Sequence, residues 1–206
     1  TTPREEVEKR SKGITVLLVD MREALGNGLT IRPIRTMMNH GSTELFFDDL
    51  KVPVENRIGE EGEGFKYILS GFNAERILIA AECIGDAHWF IEKAGKYSNE
   101  REVFGRKIGM NQGVQFPIAR AYVQLSAAAE MVTKAARMFD AGETAGTEAN
   151  MAKMLASEVS WAAADMCIQT HGGFGFAEEY DVERKFRETR LYQVAPISTN
   201  LILSHV

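Results

Sequence analysis

A short glycine–glutamate run, Gly59-Glu60-Glu61-Gly62-Glu63-Gly64, divides the chain into two kinds of patterning and limits the folds open to it. Before the run the pattern is β. Ile14 to Val19 is rich in β-branched residues, and Leu29 to Ile34 and Glu44 to Val52 are two further candidate strands. Gly26-Asn27-Gly28 and Asn39-His40-Gly41-Ser42 supply the turn chemistry between them. Three strands are a piece of sheet rather than a self-sufficient domain. After the run the apolar spacing is helical. Phe65 to Lys96 repeats Ile68, Phe72, Ile79 and Cys83 on one face. Gln112 to Phe139 places Phe116, Ala119, Val123, Ala127, Met131 and Ala135 on one side, and Ala149 to Thr170 does so with Ala152, Leu155, Val159, Ala162 and Met166. Gly142 and Gly146 separate these two stretches. Asp181 to Tyr192 reads as a short charged helix, and Ser198 is the candidate N-cap of a last one. The expected fold is mainly α: an antiparallel four-helix bundle over residues 59–206, preceded by a partial antiparallel β-sheet over residues 1–58.

Charge and cysteine usage narrow the function classes. The formal net charge is -5, from 24 Lys and Arg against 29 Asp and Glu, which disfavours binding to nucleic acid or an anionic membrane surface. Cys83 and Cys167 sit on apolar helical patterns and read as reduced core residues. There is no CxxC pair, and His40, His88, His171 and His205 lack the spacing of a metal site or triad, so no metal is expected. The uncharged stretch from Leu191 to Val206 is too short and too polar to span a bilayer. The chain has no initiator methionine and stops within the apolar run Leu201 to Val206, so it reads as a piece of a longer protein.

Glu75 is the first candidate for chemistry. It lies three residues after Phe72, seven after Ile68 and four before Ile79, which puts a carboxylate in an apolar stripe. Desolvation there would raise its pKa, as suits a general base acting on a weakly acidic substrate. A carboxylate at the edge of the stripe, paired or solvated, fits the same periodicity. Three further segments stand out: Arg101-Glu102-Val103-Phe104-Gly105, Asn111-Gln112, and Gln169-Thr170-His171-Gly172-Gly173-Phe174-Gly175. A helix C-cap needs one glycine, whereas three in four residues suggest a phosphate or planar cofactor approaching the backbone.

Together these segments resemble the acyl-CoA dehydrogenase family. Glu44-Leu45-Phe46-Phe47-Asp48-Asp49-Leu50-Lys51-Val52-Pro53, followed by Asn56, Gly59, Glu61-Gly62 and Gly64-Phe65, resembles its junction between middle sheet and C-terminal bundle. Asn73-Ala74-Glu75-Arg76 is similar to its substrate helix. Arg101-x-x-Phe104-Gly105, Asn111-Gln112 and Gln169-x-x-Gly172-Gly173-x-Gly175 are similar to its FAD motifs. The resemblance implies FAD-dependent α,β-dehydrogenation of an acyl-CoA thioester, with electrons passed to an electron-transferring flavoprotein. It implies that Arg101 holds the FAD pyrophosphate, that Phe104 packs beside the cofactor, and that Gln112 and Asn111 hydrogen-bond it. Gln169, Gly172 and Gly173 would meet its adenosine half, and Ser198 and Asn200 lie where members contact FAD. Asn73 and Arg76 would contact CoA. In the family these groups serve FAD bound mainly by a neighbouring subunit, so a homodimer or homotetramer is implied, in the cytoplasm or a mitochondrial matrix.

The chain departs from the usual pattern at the base. Most members carry a glutamate shortly after a Tyr-Gln pair. From Tyr192-Gln193 that position falls on Pro196, or on Ala195 or Ile197 after a one-residue slip, and none is a carboxylate. A minority carry the base on the substrate helix, at the position matched by Glu75. The resemblance therefore assigns the α-proton to Glu75. An oxidase on the same scaffold, or an FAD-binding relative without chemistry, are the alternatives.

Overall fold

The computed structural model describes residues 4–9, 11–38 and 40–206. Asn39, in the expected turn Asn39–Ser42, lies outside the described residues. The chain divides into two compact units, Thr1–Phe72 and Asn73–Val206.

The first unit is built from small antiparallel pairs. Strand β1 (Val16–Leu17) is followed by a one-turn helix α1 (Met21–Ala24), whose N-cap Asp20 accepts a hydrogen bond from the Arg22 N–H at 2.9 Å. Strands β2 (Leu29–Ile34) and β3 (Ser42–Phe47) form a hairpin in the register Leu29↔Phe47. β2 occupies the predicted residues. β3 begins two residues before the predicted start and stops at Phe47, just before Asp49 turns left-handed at φ 49°. β1 does not join that hairpin. It pairs with β4 (Arg57–Ile58), a two-residue strand too short to leave an alternating pattern. The expected single piece of sheet is thus two separate two-stranded ribbons.

Helix α2 (Gly64–Glu100) runs unbroken for 37 residues, beginning in the first unit and carrying on as the first long helix of the second. A tight hairpin, β5 (Glu102–Val103) with β6 (Arg106–Lys107), leads to α3 (Gln112–Asp140). α4 (Gly146–His171) follows, then α5 (Val182–Thr189) and α6 (Thr199–Leu203). Of the three predicted long helices, α2 and α4 extend by one to four residues at each end, and α3 by one residue at its C-terminal end. Ser198 caps α6, as its position suggested: its side chain accepts a hydrogen bond from the Leu201 N–H at 3.3 Å.

Alanine dominates the bundle core. One cluster joins Ala87, Phe90 and Ala94 of α2 to Ala121 and Leu125 of α3, to Ala163, Ala164, Met166 and Cys167 of α4, and to Val182 of α5. A second joins Ala80 and Cys83 to Val132, Ala135, Ala152 and Ala156. Small side chains let helix axes approach to the short end of the usual 8–10 Å range. Close packing leaves no room to repack around a lost large side chain, so Phe90, fully buried, is the most exposed to truncation. Polar ties cross the same interfaces. Asp86 of α2 is ion-paired with Lys185 of α5, and the Ser160 hydroxyl of α4 is hydrogen-bonded to Thr189 at the end of α5. Among the described residues no helix is long and apolar enough to cross a membrane.

Phe90→Ala is expected to lower the unfolding free energy by about 3–5 kcal/mol in denaturant titration. A loss below about 1 kcal/mol would contradict the close packing described here.

Candidate active site

The candidate residues gather at two ends of the bundle. The first end is a cleft of about 680 Å³, lined by Tyr97, Arg101, Val103, Gln169, Gly173 and Phe174, among others. Arg101 follows directly on α2. Its backbone is fixed on both sides: its N–H donates to Tyr97 O at 2.9 Å, and its carbonyl accepts from Ile108 N at 2.9 Å. The guanidinium carbon lies 5.6 Å from the centre of the Phe174 ring. The structure thus brings Arg101, Gln169, Gly172 and Gly173 to one place, although they come from segments far apart in sequence.

The three glycines of the 172–175 run have different physical reasons. Gly172 ends α4 at φ 60° and ψ -135°, a conformation closed to residues with a Cβ. A Cβ on Gly175 would come within 2.9 Å of the Ile168 carbonyl, so this glycine serves close packing. At Gly173 φ is not left-handed and a Cβ would meet nothing within 4 Å. The open space above it belongs to the cleft. A guanidinium, an exposed amide at Gln169 and an unshielded backbone at Gly173 suit a phosphate-bearing, partly planar ligand such as a dinucleotide.

The wall behind the cleft is aromatic. His171 is buried, stacks on Tyr97 at 4.2 Å between centroids, and has Nδ1 2.8 Å from the Cys167 carbonyl. Burial pushes its pKa below the usual histidine value. Because a carbonyl can only accept, Nδ1 is the donor in its bond to Cys167 O. Tyr180 meets both rings edge-on. The expectation that His171 is structural agrees with this setting. Tyr97 and Phe174 line the cleft and were not singled out in the sequence. Phe174 is the intervening residue of the Gly-Gly-x-Gly run, which is the signal that could have found it.

Phe104 stands apart at the tip of the β5–β6 hairpin. Phe104 and Gly105 form a two-residue turn with φ 53° and 77°, the positive pair that a type I′ hairpin requires. A bulky residue in this region is strained by about 1–2 kcal/mol. The turn accounts for the backbone, but the side chain is fully exposed and packs on no described residue. Asn111 precedes α3 without capping it: its Oδ1 accepts from Arg106 Nη2 at 2.6 Å, and its Nδ2 donates to Ile108 O at 3.0 Å. Gln112, the first residue of α3, is exposed.

The second end is built on the N-terminal half of α2. Arg76 Nη1 donates to Asn73 Oδ1 at 3.0 Å, which joins the two expected CoA contacts to each other. Glu75 lies between them and is exposed. This corrects the expectation of a desolvated carboxylate within the apolar stripe. The fully buried part of α2 in the bundle begins at Ala80, and the stripe before it is open, with Ile68 41% exposed. Tyr192 and the segment after it pack nearby. The Tyr192 hydroxyl donates to Glu82 Oε1 at 2.8 Å, two helical turns along α2 from Glu75. Burial and the Glu82 carboxylate push that phenol's pKa well up. Ser198 is occupied as the cap of α6, and Asn200 is exposed on it. Among the described residues no group of three or more His, Cys, Asp or Glu could hold a metal ion.

The comparisons with known proteins bear on both ends. The family described as acyl-CoA dehydrogenase, C-terminal domain, matches residues 62–196. The chain is 33% identical over 190 residues to the caffeyl-CoA reductase-Etf complex subunit CarC of Acetobacterium woodii, covering 92% of this chain and 50% of that one. It is 36% identical over 188 residues to an acyl-CoA dehydrogenase of Bacillus subtilis, covering 91% and 46%. Among solved structures, butyryl-CoA dehydrogenase from Megasphaera elsdenii superimposes with a TM-score of 0.88 at 32% identity, covering 97% of this chain and 52% of that one. The chain spans about half the length of the curated relatives it matches. The match runs through the Arg101 cleft and the Glu75 helix alike, and the chain belongs to the acyl-CoA dehydrogenase family.

Proposed function

We propose that this chain serves FAD-dependent α,β-dehydrogenation of an acyl-CoA thioester, with Glu75 as the base that takes the α-proton. The observation that carries this reading is the constellation on α2. Glu75 sits between the bonded pair Asn73 and Arg76, while positions 195–197 offer no carboxylate. Arg76 and Asn73 meet the CoA portion and orient the thioester across Glu75. FAD, when bound, supplies the hydride acceptor. Arg101 holds its pyrophosphate, Gln169, Gly172 and Gly173 its adenosine half, and Asn111 and Gln112 make further contacts, while Ser198 and Asn200, at the other end, meet the FAD of the other site. Phe104, exposed at its hairpin tip, packs beside the FAD that Arg101 holds. A relative named as a subunit of a reductase-Etf complex supports an electron-transferring flavoprotein as the electron partner.

The two ends belong to different copies of the site. From Glu75 to Glu100, the residue before Arg101, α2 spans ~38 Å at 1.5 Å per residue. That is longer than an extended flavin dinucleotide, so one FAD cannot touch Glu75 and Arg101 of the same chain. Arg101 and the glycine run therefore serve an FAD whose ring faces another subunit's base, in a homodimer or homotetramer. The missing carboxylate at 195–197 also favours a second reading, an FAD-binding relative without chemistry, and flavin reduction of the wild type by acyl-CoA separates the two.

Glu75→Gln should leave the holoenzyme yellow and slow flavin reduction by acyl-CoA by about 10²–10⁴-fold in anaerobic stopped flow. Unchanged bleaching would remove Glu75 as the base, and no bleaching in the wild type would favour the second reading.

Arg101→Ala should weaken FAD binding by about 10- to 100-fold, as expected for losing one charge-assisted pair. Arg101→Lys should fall between, since it keeps the charge and loses the planar fork. Flavin titration of the apoprotein reads both, and equal affinities would contradict the role.

A further inference from the structure

Lys153 is fully buried at 0% exposure in α4, next to the alanines of the second core cluster. Its Nζ donates to the Ile197 carbonyl at 2.6 Å. That acceptor is neutral. The nearby thiol of Cys83 is held uncharged, its pKa pushed up to about 12 by burial. Burial likewise lowers the pKa of Lys153 itself. An ammonium so placed is a costly way to fill a core, since a methionine would fill the same space without desolvation. What Lys153 supplies is a directed tie between α4 and the segment that follows Tyr192.

That segment is held at both ends. Tyr192 packs on the second core cluster and donates to Glu82 of α2 at 2.8 Å. Lys153 of α4 holds Ile197. Between the anchors the chain closes on itself: the N–H groups of Val194 and Ala195 donate to the Leu191 carbonyl at 2.8 and 2.9 Å, and Thr199 Oγ1 donates to the Gln193 carbonyl at 3.3 Å. Pro196 has no N–H to contribute to any such bond. The stretch therefore depends on contacts at its flanks for its position.

We propose that Lys153 is a positioning residue, which with the Tyr192–Glu82 bond clamps residues 193–197 against α2 and α4 and, on the dehydrogenase reading, so holds a backbone segment that borders the acyl-CoA site. The proposal rests on the dehydrogenase reading for its catalytic consequence, and on the geometry alone for the clamp. The side chain touches neither substrate nor cofactor. It acts through the Ile197 carbonyl, whose peptide unit also carries the N–H of the α6 cap residue Ser198. A donor bound to one end of a peptide polarises the other end, so the same bond orders Ser198 and sharpens its N–H.

The test uses the holoenzyme with Lys153→Met and Tyr192→Phe. Hydrogen–deuterium exchange should rise about tenfold or more at the amides of residues 194, 195, 197 and 198 in Lys153→Met, with the α4 amides unchanged. Flavin content and acyl-CoA affinity should stay near wild type, while the flavin-reduction rate falls about 10- to 100-fold, the scale of a small misplacement of reacting groups. Tyr192→Phe removes only a hydroxyl at a half-buried site. It should move the same two readouts in the same direction by less, and it carries the test if Lys153→Met does not fold. Unchanged exchange at those four amides in the folded variants would overturn the clamp. Faster exchange with an unchanged reduction rate would overturn its positioning role. A wild-type holoenzyme that no acyl-CoA reduces would overturn the dehydrogenase reading instead, and the exchange data would still decide the clamp.

Discussion

The packing of α2, α3 and α4 along an alanine-lined seam is the constraint on which the rest of the structure depends. Ala80, Ala87 and Ala94 recur at seven-residue intervals on α2 and are each fully buried. A seam of that kind favours long, nearly aligned helices, because each added turn extends the same contact. The length of α2 follows from it, and so does the arrangement of function. A helix of 37 residues carries Asn73, Glu75 and Arg76, the groups proposed to meet substrate, in its N-terminal half and ends just before Arg101. On the proposed assignment the bundle separates the two halves of a flavin site, and a second copy of the chain would bring such halves together.

The seam also sets what polar groups can do inside it. Asp86 is tied to Lys185 and Ser160 to Thr189, each linking a long helix to the α5 region that closes the bundle. Lys153 is the exception, because its partner is a loop carbonyl rather than a neighbouring helix. Other buried polar side chains, such as Ser98, Ser157 and His171, bond to carbonyls of their own helices.

The sequence was most legible where periodicity and caps act over many residues. The three long helices, the strand Leu29–Ile34 and the Ser198 cap all express local rules, and they appear where those rules put them. Two-residue strands such as Arg57–Ile58 carry no alternation to read, and their pairing is decided by tertiary contact. Glu75 illustrates a different limit. Periodicity reports which residues share a helix face, not whether that face is covered, and here the covered part of α2 starts only at Ala80. The cleft was legible only in pieces. Arg101 and the glycine run were visible as motifs, whereas the Phe174 ring beneath the guanidinium belongs to a meeting of segments that spacing does not encode. No spacing or motif sets Lys153 apart in the sequence, and only its complete burial marks it.

The central claim is that this family member's Glu75 end works on an acyl-CoA thioester. The most direct measurement is anaerobic addition of a panel of saturated acyl-CoAs to the wild-type holoenzyme, followed by the oxidised-flavin absorbance band. The account predicts that at least one acyl-CoA bleaches the band and yields the corresponding 2-enoyl-CoA. A band that persists with every member of the panel, in protein shown to bind those thioesters, would contradict it.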